Sequence, residues 1–198
     1  MLRILRSCSL LLLSALPWLA PSPASGQSGP IQPLSAEERD GRHDFDFWVG
    51  STWKGHNRRL LNPLTGSTTW VEFDAVAAAH PIMDGLGNIE EAENFSPSGR
   101  FKGMTLRLYD PKAHQWSIYW WNPSNGPMGV PTIGQFRNGR GEFFDQEMFQ
   151  GRSILVRYVW SNITADSAQF EQSFSVDGGR SWEANWITQW VRQYVRER

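Results

Sequence analysis

Residues 104–109 carry three side chains whose types suit ligand recognition. Thr105, Arg107 and Tyr109 alternate there with three apolar residues. Successive side chains of a strand point to opposite faces, so these three share one face. If that face lines an interior, Arg107 can hold a ligand carboxylate through two parallel hydrogen bonds. If the apolar residues face inward instead, Arg107 pairs with a surface acid, and the sequence leaves both arrangements open.

Aromatic residues recur at alternate positions near the end of the chain and define a second candidate surface. On one face of three predicted strands lie Val156, Tyr158, Trp160, Phe170, Gln172, Phe174, Trp182, Trp186 and Trp190. We expect this face to point inward. Gln172 and Thr188 interrupt it, and a buried polar group without a partner costs about 1–3 kcal/mol. Each must therefore satisfy a neighbour or await a ligand.

The segment 115–122 is apolar on both faces. Trp116, Ile118 and Trp120 share one face, and two further aromatic residues share the other. One face packs inside the fold, whereas the second must meet the N-terminal segment, a ligand or another subunit, as in a homodimer. Together these segments give six predicted ligand-binding residues: Arg107, Tyr109, Trp120, Tyr158, Gln172 and Trp186.

Carboxylates form two groups that could carry acid–base chemistry. The groups are Glu90, Glu91 and Glu93, and then Glu142, Asp145 and Glu147. Alternation places Glu91 and Glu93 on the face of Ile89 and Phe95, which predicts that both acids project inward. Alternatively, strands with this many charges are exposed or lie at a sheet edge, where charge prevents association. Proton-transfer catalysis would need one inward carboxylate or tyrosine with a perturbed pKa.

The sequence contains no motif specific for hydrolysis or for metal binding. It has no Gly-x-Ser-x-Gly and no His-Glu-x-x-His, and its one cysteine, Cys8, lies near the N-terminus. The histidines are His43, His56, His80 and His114. His56 lies on a basic face of its strand and His114 in a turn, so we expect both to be solvated. We predict neither a metal site nor a cofactor.

The N-terminus predicts export. Residues 1–26 combine a basic start, an apolar run and a small-residue cleavage site, which is typical of a secretory signal peptide. Residues 27–34 predict a flexible leader, and 35–198 one domain. Cleavage removes two of the 19 basic residues and none of the 20 acidic ones. We therefore expect a mildly acidic exported protein, periplasmic or secreted, without a membrane anchor and without nucleic acid as a partner.

Short aromatic and β-branched segments alternate with turn residues over the rest of the chain. The predicted strands are 52–60, 68–77, 87–95, 101–110, 115–122, 133–137, 141–149, 153–161, 168–176 and 183–192. Ten hairpin-connected strands avoid exposed edges by closing, which favours an all-β, up-and-down antiparallel barrel. A short helix is predicted near 35–38. The proline-containing linker 122–131 is long for a hairpin and could lie over a barrel mouth as a lid.

One segment resembles the Asp-box of sialidase propellers. Its residues are Ser175, Asp177, Gly179, Ser181 and Trp182. Sialidase function would need repeated boxes and a longer chain, and this sequence has one box. The interpretation is therefore structural, with the aspartate closing the hairpin between the last two strands.

Four ordered blocks resemble an uncharacterised bacterial domain-of-unknown-function family with a calycin-like barrel. They are HDFDFWVG at 43–50, GMTLRLYDP at 103–111, QWSIYW at 115–120 and FSVDGG at 174–179. In addition, Gly50 and Trp53 resemble the Gly-x-Trp of lipocalins, with one extra residue between them, where the tryptophan plugs one barrel end. Calycin barrels include nitrobindin-like haem proteins, but the C-terminal strands here contain no histidine for that role.

These observations predict an exported barrel that binds a small, largely apolar molecule in an aromatic-lined cavity. The expectation of binding rests on the analogy with barrels that hold ligands at their mouths. Two alternatives remain open at this point. The first is a cofactor-independent isomerase, cyclase, hydratase or hydrolase acting on a lipophilic substrate, and the second is a structural or protein-interaction barrel with a filled interior.

Overall fold

A computed structural model describes residues 40–194, and strands make up most of them. The strands are β1 (Thr52–Leu60), β2 (Trp70–Ile82), β3 (Gly87–Ser96), β4 (Gly99–Asp110), β5 (Gln115–Trp121), β6 (Thr132–Arg137), β7 (Arg140–Phe149), β8 (Arg152–Ser161), β9 (Ser167–Ser175) and β10 (Glu183–Gln193). Short 3-10 helices lie at Gly41–His43, Met83–Gly85 and Pro123–Asn125. The helix predicted at 35–38 falls outside the described residues.

Each strand pairs antiparallel with the next, and β1 pairs with β10 to close the barrel. The predicted all-β, up-and-down topology is confirmed. The largest difference in strand bounds is at β2, which continues five residues beyond 77 to Ile82. It continues because Ala75, Ala77 and Ala79 maintain an inward alternation of small side chains. Within residues 40–194, no helix is long and apolar enough to cross a membrane.

The tight turns have the backbone that their residues favour. Asn138 and Gly139 take φ values of 51° and 74° between β6 and β7, as an Asn-Gly hairpin requires. At the Asp-box, Asp177 accepts from the backbone nitrogen of Ser181 at 3.0 Å and from its hydroxyl at 2.6 Å. These bonds hold the pKa of Asp177 well below its usual value. The structural interpretation of this motif is confirmed, since it forms the β9–β10 hairpin.

An aromatic plug closes one end of the barrel. The segment 44–50 turns inward before β1, and Phe45, Trp48 and Trp53 are each at most 1% exposed. Trp48 and Trp53 stack with ring centroids 4.6 Å apart. The inward alanines of β2 leave the width that these rings occupy, because larger side chains there would fill the same space. The predicted role of Trp53 as an end plug is confirmed.

Arg192 of β10 connects the plug to the last strand, and we call its contacts the clamp. Its guanidinium lies 4.7 Å from the centre of the Trp53 ring. It also donates to the carbonyl of Phe47, to the hydroxyl of Ser51 and to the carbonyl of Ala165. Arginine combines stacking and several planar donors in one side chain, so a single residue joins the plug, β1 and the β8–β9 loop.

A β-bulge in β10 corrects one prediction about the lumen. The register with β9 shifts between Ala184 and Trp186, so β10 has one residue more than β9 at this point. The side chains of β10 that precede the bulge therefore point to the opposite face from the one that simple alternation predicts. Trp182 therefore lies on the outer face, with the guanidinium of Arg157 4.6 Å above its ring and Phe144 beside it. The prediction that Trp182 faces inward is wrong, whereas Trp186 and Trp190 do face inward.

The clamp predicts a strong dependence of stability on Arg192. We expect Arg192→Ala to lower the free energy of unfolding by about 2–4 kcal/mol, because a stacked cation and several hydrogen bonds are lost together. Arg180→Ala, at an exposed hairpin residue, is the matched control and should change it by less than about 0.5 kcal/mol. Urea unfolding followed by tryptophan fluorescence measures both. Equal effects of the two variants would contradict the role of the clamp.

Candidate functional site

A cavity of about 790 Å³ occupies the half of the barrel that the plug leaves open. Its wall is formed by residues of every strand except β2 and by the linker between β5 and β6. Aromatic rings form one part of the wall and polar side chains form another, and the rings are Phe101, Trp120, Trp121, Phe149, Tyr158, Trp160, Phe170, Phe174, Trp186 and Trp190. The volume and the lining are those of a small-molecule site.

The structure brings five of the six predicted site residues to this cavity. Arg107, Trp120, Tyr158, Gln172 and Trp186 line it. Tyr109 also faces inward but lies at the closed end, where its hydroxyl accepts from the backbone nitrogen of Gly41 at 2.9 Å.

The outward position of Leu106 and Leu108 settles which face of β4 lines the lumen. Arg107 is 2% exposed and has Ile118 and Asn88 as its strand neighbours, both of which are buried. The surface alternative for Arg107 is therefore wrong.

The floor of the cavity is a buried ion pair. Arg107 donates from Nη2 to Glu90 Oε2 at 2.5 Å and from Nη1 to Asn88 Oδ1 at 2.9 Å. Glu90 also accepts from Trp48 Nε1 at 2.8 Å and from the Thr105 hydroxyl at 3.4 Å. These donors compensate the loss of water around the carboxylate, which is the condition for burying such a pair. The pair is therefore fixed in position and nearly neutral overall.

Aromatic faces surround the remainder of the guanidinium. Its carbon lies 5.0 Å from the ring centre of Phe45, 5.5 Å from that of Trp160 and 5.9 Å from that of Trp48. Ring faces attract cations, so the cluster stabilises the charge where water is excluded. Both terminal nitrogens of Arg107 already donate to side chains of the barrel, which differs from the predicted pair of parallel bonds to a ligand carboxylate. Its Nε has no partner.

The acids of β3 face the opposite way from the prediction. Glu90 points inward opposite Thr105, whereas Glu91 and Glu93 point outward with Ile89 and Phe95. The inward face of β3 carries the polar residues Asn88, Glu90 and Asn94 together with Ala92, whereas Ile89 and Phe95 lie on the outer face. The usual assumption that apolar residues mark the interior fails at this strand because its inner face is part of the polar site.

The two polar side chains that the sequence left open, Gln172 and Thr188, are satisfied by neighbours. The Thr188 hydroxyl and Trp186 Nε1 donate to Asn57 Oδ1 at 2.7 and 2.8 Å. Gln172 donates to Asn185 Oδ1 at 2.7 Å. Asn57 lines the cavity and is 1% exposed, yet its Nδ2 has no partner. Sequence reasoning missed Asn57, although alternation from Trp53 along β1 indicates its inward position.

Arg59 continues the same face of β1 to the cavity mouth. Its guanidinium lies 4.9 Å from the ring centre of Trp186. Partial burial lowers the pKa of Arg59 from its usual value, although much of the side chain is exposed. It was also missed, because Lys54, His56 and Arg58 on the outer face make the strand resemble a uniformly basic surface.

The second acid group is divided by the register of β7. Glu142 faces outward and binds Arg140, while Asp145 and Glu147 line the cavity. The sheet-edge part of the alternative is wrong, because the closed barrel leaves no edge for β7, whereas Glu91 and Glu147 are exposed as its other part expected. Burial and the neighbouring charge of Glu147 raise the pKa of Asp145 to about 7. Burial, followed by the charges of Glu147 and Asp145, raises the pKa of Tyr158.

The linker between β5 and β6 lies at the mouth, as the sequence suggested. Asn122, Ser124, Pro127, Gly129 and Val130 contribute to the wall. Trp121 fixes the linker by donating from Nε1 to the carbonyl of Gly126 at 2.6 Å. This contact uses part of the second aromatic face of β5.

Residues 40–194 contain no cluster of three or more side chains that could hold a metal ion. His43 contacts Asp46, and His56 contacts Glu72 and Asp74 on the outer surface. His114 lies in the β4–β5 turn with a positive φ of 53°. The site therefore offers carboxyl, guanidinium, amide and phenol groups for chemistry.

Comparisons with known proteins agree with this geometry at the level of the fold. No family model matches the chain, and no curated protein matches its sequence. An S-type phycobiliprotein lyase, CPES from Guillardia theta, aligns with a TM-score of 0.51 and 10% identity, covering 81% of this chain and 99% of the lyase. The likeness is one of fold, a closed antiparallel barrel. Rv2717c from M. tuberculosis shares this barrel with a TM-score of 0.51 and 9% identity, covering 76% and 98% of the two chains.

The buried ion pair predicts that neighbouring glutamates differ sharply in their effect. Glu90→Gln leaves Arg107 buried without its counter-charge, so we expect the free energy of unfolding to fall by about 3–5 kcal/mol. Glu91→Gln alters an exposed residue one position away and should change it by less than about 0.5 kcal/mol. Urea unfolding of both variants makes the comparison. A loss in Glu90→Gln no larger than in Glu91→Gln would show that the pair does not stabilise the barrel.

Proposed function

We propose that this barrel binds a small, largely apolar molecule within its cavity. The observation that carries the proposal is the cavity itself, about 790 Å³ in volume, in which ten aromatic residues line the wall beside polar groups. Binding of an apolar ligand in such a cavity is favourable, because apolar surface of both the wall and the ligand is removed from water. The linker and the β7–β8 hairpin border the opening through which such a molecule would pass.

The shared fold adds general support. One barrel of similar structure is a phycobiliprotein lyase, so this architecture occurs in a protein that acts on another molecule rather than serving only as a scaffold. We also propose that the chain belongs to the uncharacterised bacterial family that its four sequence blocks resemble. The alternative of a filled interior has no support, because the lumen above the plug is open.

A second candidate function is proton-transfer catalysis on a lipophilic substrate. The observation that favours it is Asp145, an inward acid at the cavity wall with a pKa raised to about 7 by burial and by Glu147. A group with a pKa near neutrality can both donate and accept protons. Binding is the first proposal because it needs only the cavity, whereas catalysis also needs a substrate positioned against this acid.

The binding proposal predicts that Trp120 contributes to affinity and that its neighbour does not. Nile red, a neutral fluorophore, should bind with enhanced fluorescence, and Trp120→Ala should weaken binding about five- to tenfold by removing a wall of the cavity. Tyr119→Ala removes an aromatic ring from the outer face of the same strand and is the matched control. Titration of the dye gives each Kd. Absence of saturable binding to the wild-type protein would refute the proposal.

We further propose that the protein is exported, on the basis of residues 1–26 alone. Expression in a bacterial host should yield a mature chain that begins near Gln27. Intact mass spectrometry of protein from the periplasmic and cytoplasmic fractions identifies the cleavage site. A chain that keeps its first 26 residues and remains in the cytoplasm would contradict export.

A further inference from the structure

Two carboxyl groups on one wall of the cavity have no partner of opposite charge. Asp145 and Glu147 are two residues apart on β7 and both line the lumen. Both carboxyl oxygens of Asp145 are buried, and the titratable side chain that interacts with them is Glu147, which carries the same charge. Within the described part of the chain, neither residue forms an ion pair. A buried acid in this state is stabilised either by holding its proton or by receiving a cation.

The remaining charges of the cavity do not compensate this wall. Glu90 and Arg107 neutralise each other at the floor, where their atoms are 2.5 Å apart. Arg59 lies on β1 and stacks on Trp186, four strands away from β7 around the barrel. The wall formed by β7 is therefore the acidic side of the lumen, and Arg59, the lining cation outside the Glu90–Arg107 pair, lies away from it.

Aromatic rings flank the two acids on the same face. Asp145 is opposite Val156, which places Tyr158 diagonally next to it. Phe149 follows Glu147 by two residues, and its ring centre is 5.2 Å from that of Phe174. Tyr158 makes no hydrogen bond within residues 40–194, so its hydroxyl is free to meet a ligand. Carboxylates together with ring faces form the environment that recognises organic cations.

An independent feature of the lumen also indicates an absent polar partner. Asn57 is 1% exposed and lines the same cavity, yet its Nδ2 donates to nothing. Buried amide nitrogens are nearly always paired, so this atom can donate to an acceptor that enters the cavity. An occupant with an apolar body and a polar oxygen would match this part of the wall.

We propose that the cavity binds an apolar amine, whose protonated nitrogen lies against Asp145 and Glu147 while its hydrocarbon part occupies the aromatic lumen. An oxygen on the same molecule would accept from Asn57. This inference rests on the proposed function, since it names the class of ligand for the same cavity. It also replaces the carboxylate ligand expected from Arg107, because Glu90 already holds that guanidinium.

The proposal fixes the direction of the pH dependence. Asp145 faces Glu147 on its own strand, Tyr158 on β8 and the uncharged Thr132 on β6. Its pKa of about 7 in the free protein means that it is mostly protonated at pH 6 and mostly ionised at pH 8. An ammonium group favours the ionised form and keeps its own charge throughout this range. Affinity for the amine should therefore fall as the pH is lowered from 8 to 6.

The test uses three probes with one hydrocarbon chain and different head groups. Decylamine, decanol and decanoate displace Nile red from the full-length protein at pH 8. We expect decylamine to bind about tenfold more tightly than decanol, because only the amine gains the contacts with the acids. In Asp145→Asn and Glu147→Gln this preference should shrink severalfold while the affinity for decanol is retained. Glu142→Gln, on the outer face of the same strand, is the matched control and should keep the preference.

The outcomes separate this inference from the proposed function. Equal affinities of decylamine and decanol for the wild-type protein, or tighter binding of decanoate, would overturn the amine site while leaving a ligand-binding cavity. A preference that survives both substitutions in β7 would also overturn it. Failure of Nile red itself to bind would instead refute the cavity as a ligand site. The wild-type comparison does not depend on whether any variant folds.

Discussion

Trp48 connects the plug, which closes one end of the barrel, with the polar floor of the cavity. Its ring stacks on Trp53 within the plug, and its indole nitrogen donates to Glu90 at 2.8 Å. The same side chain therefore completes the hydrophobic seal and fixes the carboxylate that neutralises Arg107. Since a buried ion pair is tolerated only when its remaining groups are bonded, the polar floor of the cavity depends on the plug being in place.

This arrangement divides the lumen into zones with different tasks. The lower zone holds tightly packed rings and a neutralised ion pair, and it leaves little for a ligand to change. The upper zone has groups with unmet bonding capacity, including Asn57 Nδ2 and the carboxyl of Asp145. Stability and recognition are thus separated along the barrel axis, with Glu90 and Arg107 at the boundary between them.

The barrel could be predicted from the sequence because turn residues and alternation are local signals. Asn138-Gly139 and Asp177-Gly178 marked hairpins that the structure contains, and the facing of Trp186 followed from its spacing. The facing of Glu90 could not be predicted, since β3 reverses the usual pattern by placing polar residues inside. Trp182 was assigned to the wrong face because a bulge adds one residue and no local signal announces it.

The pairing of β1 with β10 has a consequence for the order in which the barrel folds. Arg192 contacts the carbonyl of Phe47 across 145 positions of sequence, so this link between the plug and β10 forms only after β10 has been synthesised. Contacts of such high sequence separation slow folding, because a long loop must close before they form. A growing chain that lacks β10 has an unclosed sheet and lacks the contacts of Arg192 with the plug. The barrel can therefore close only when β10 is present.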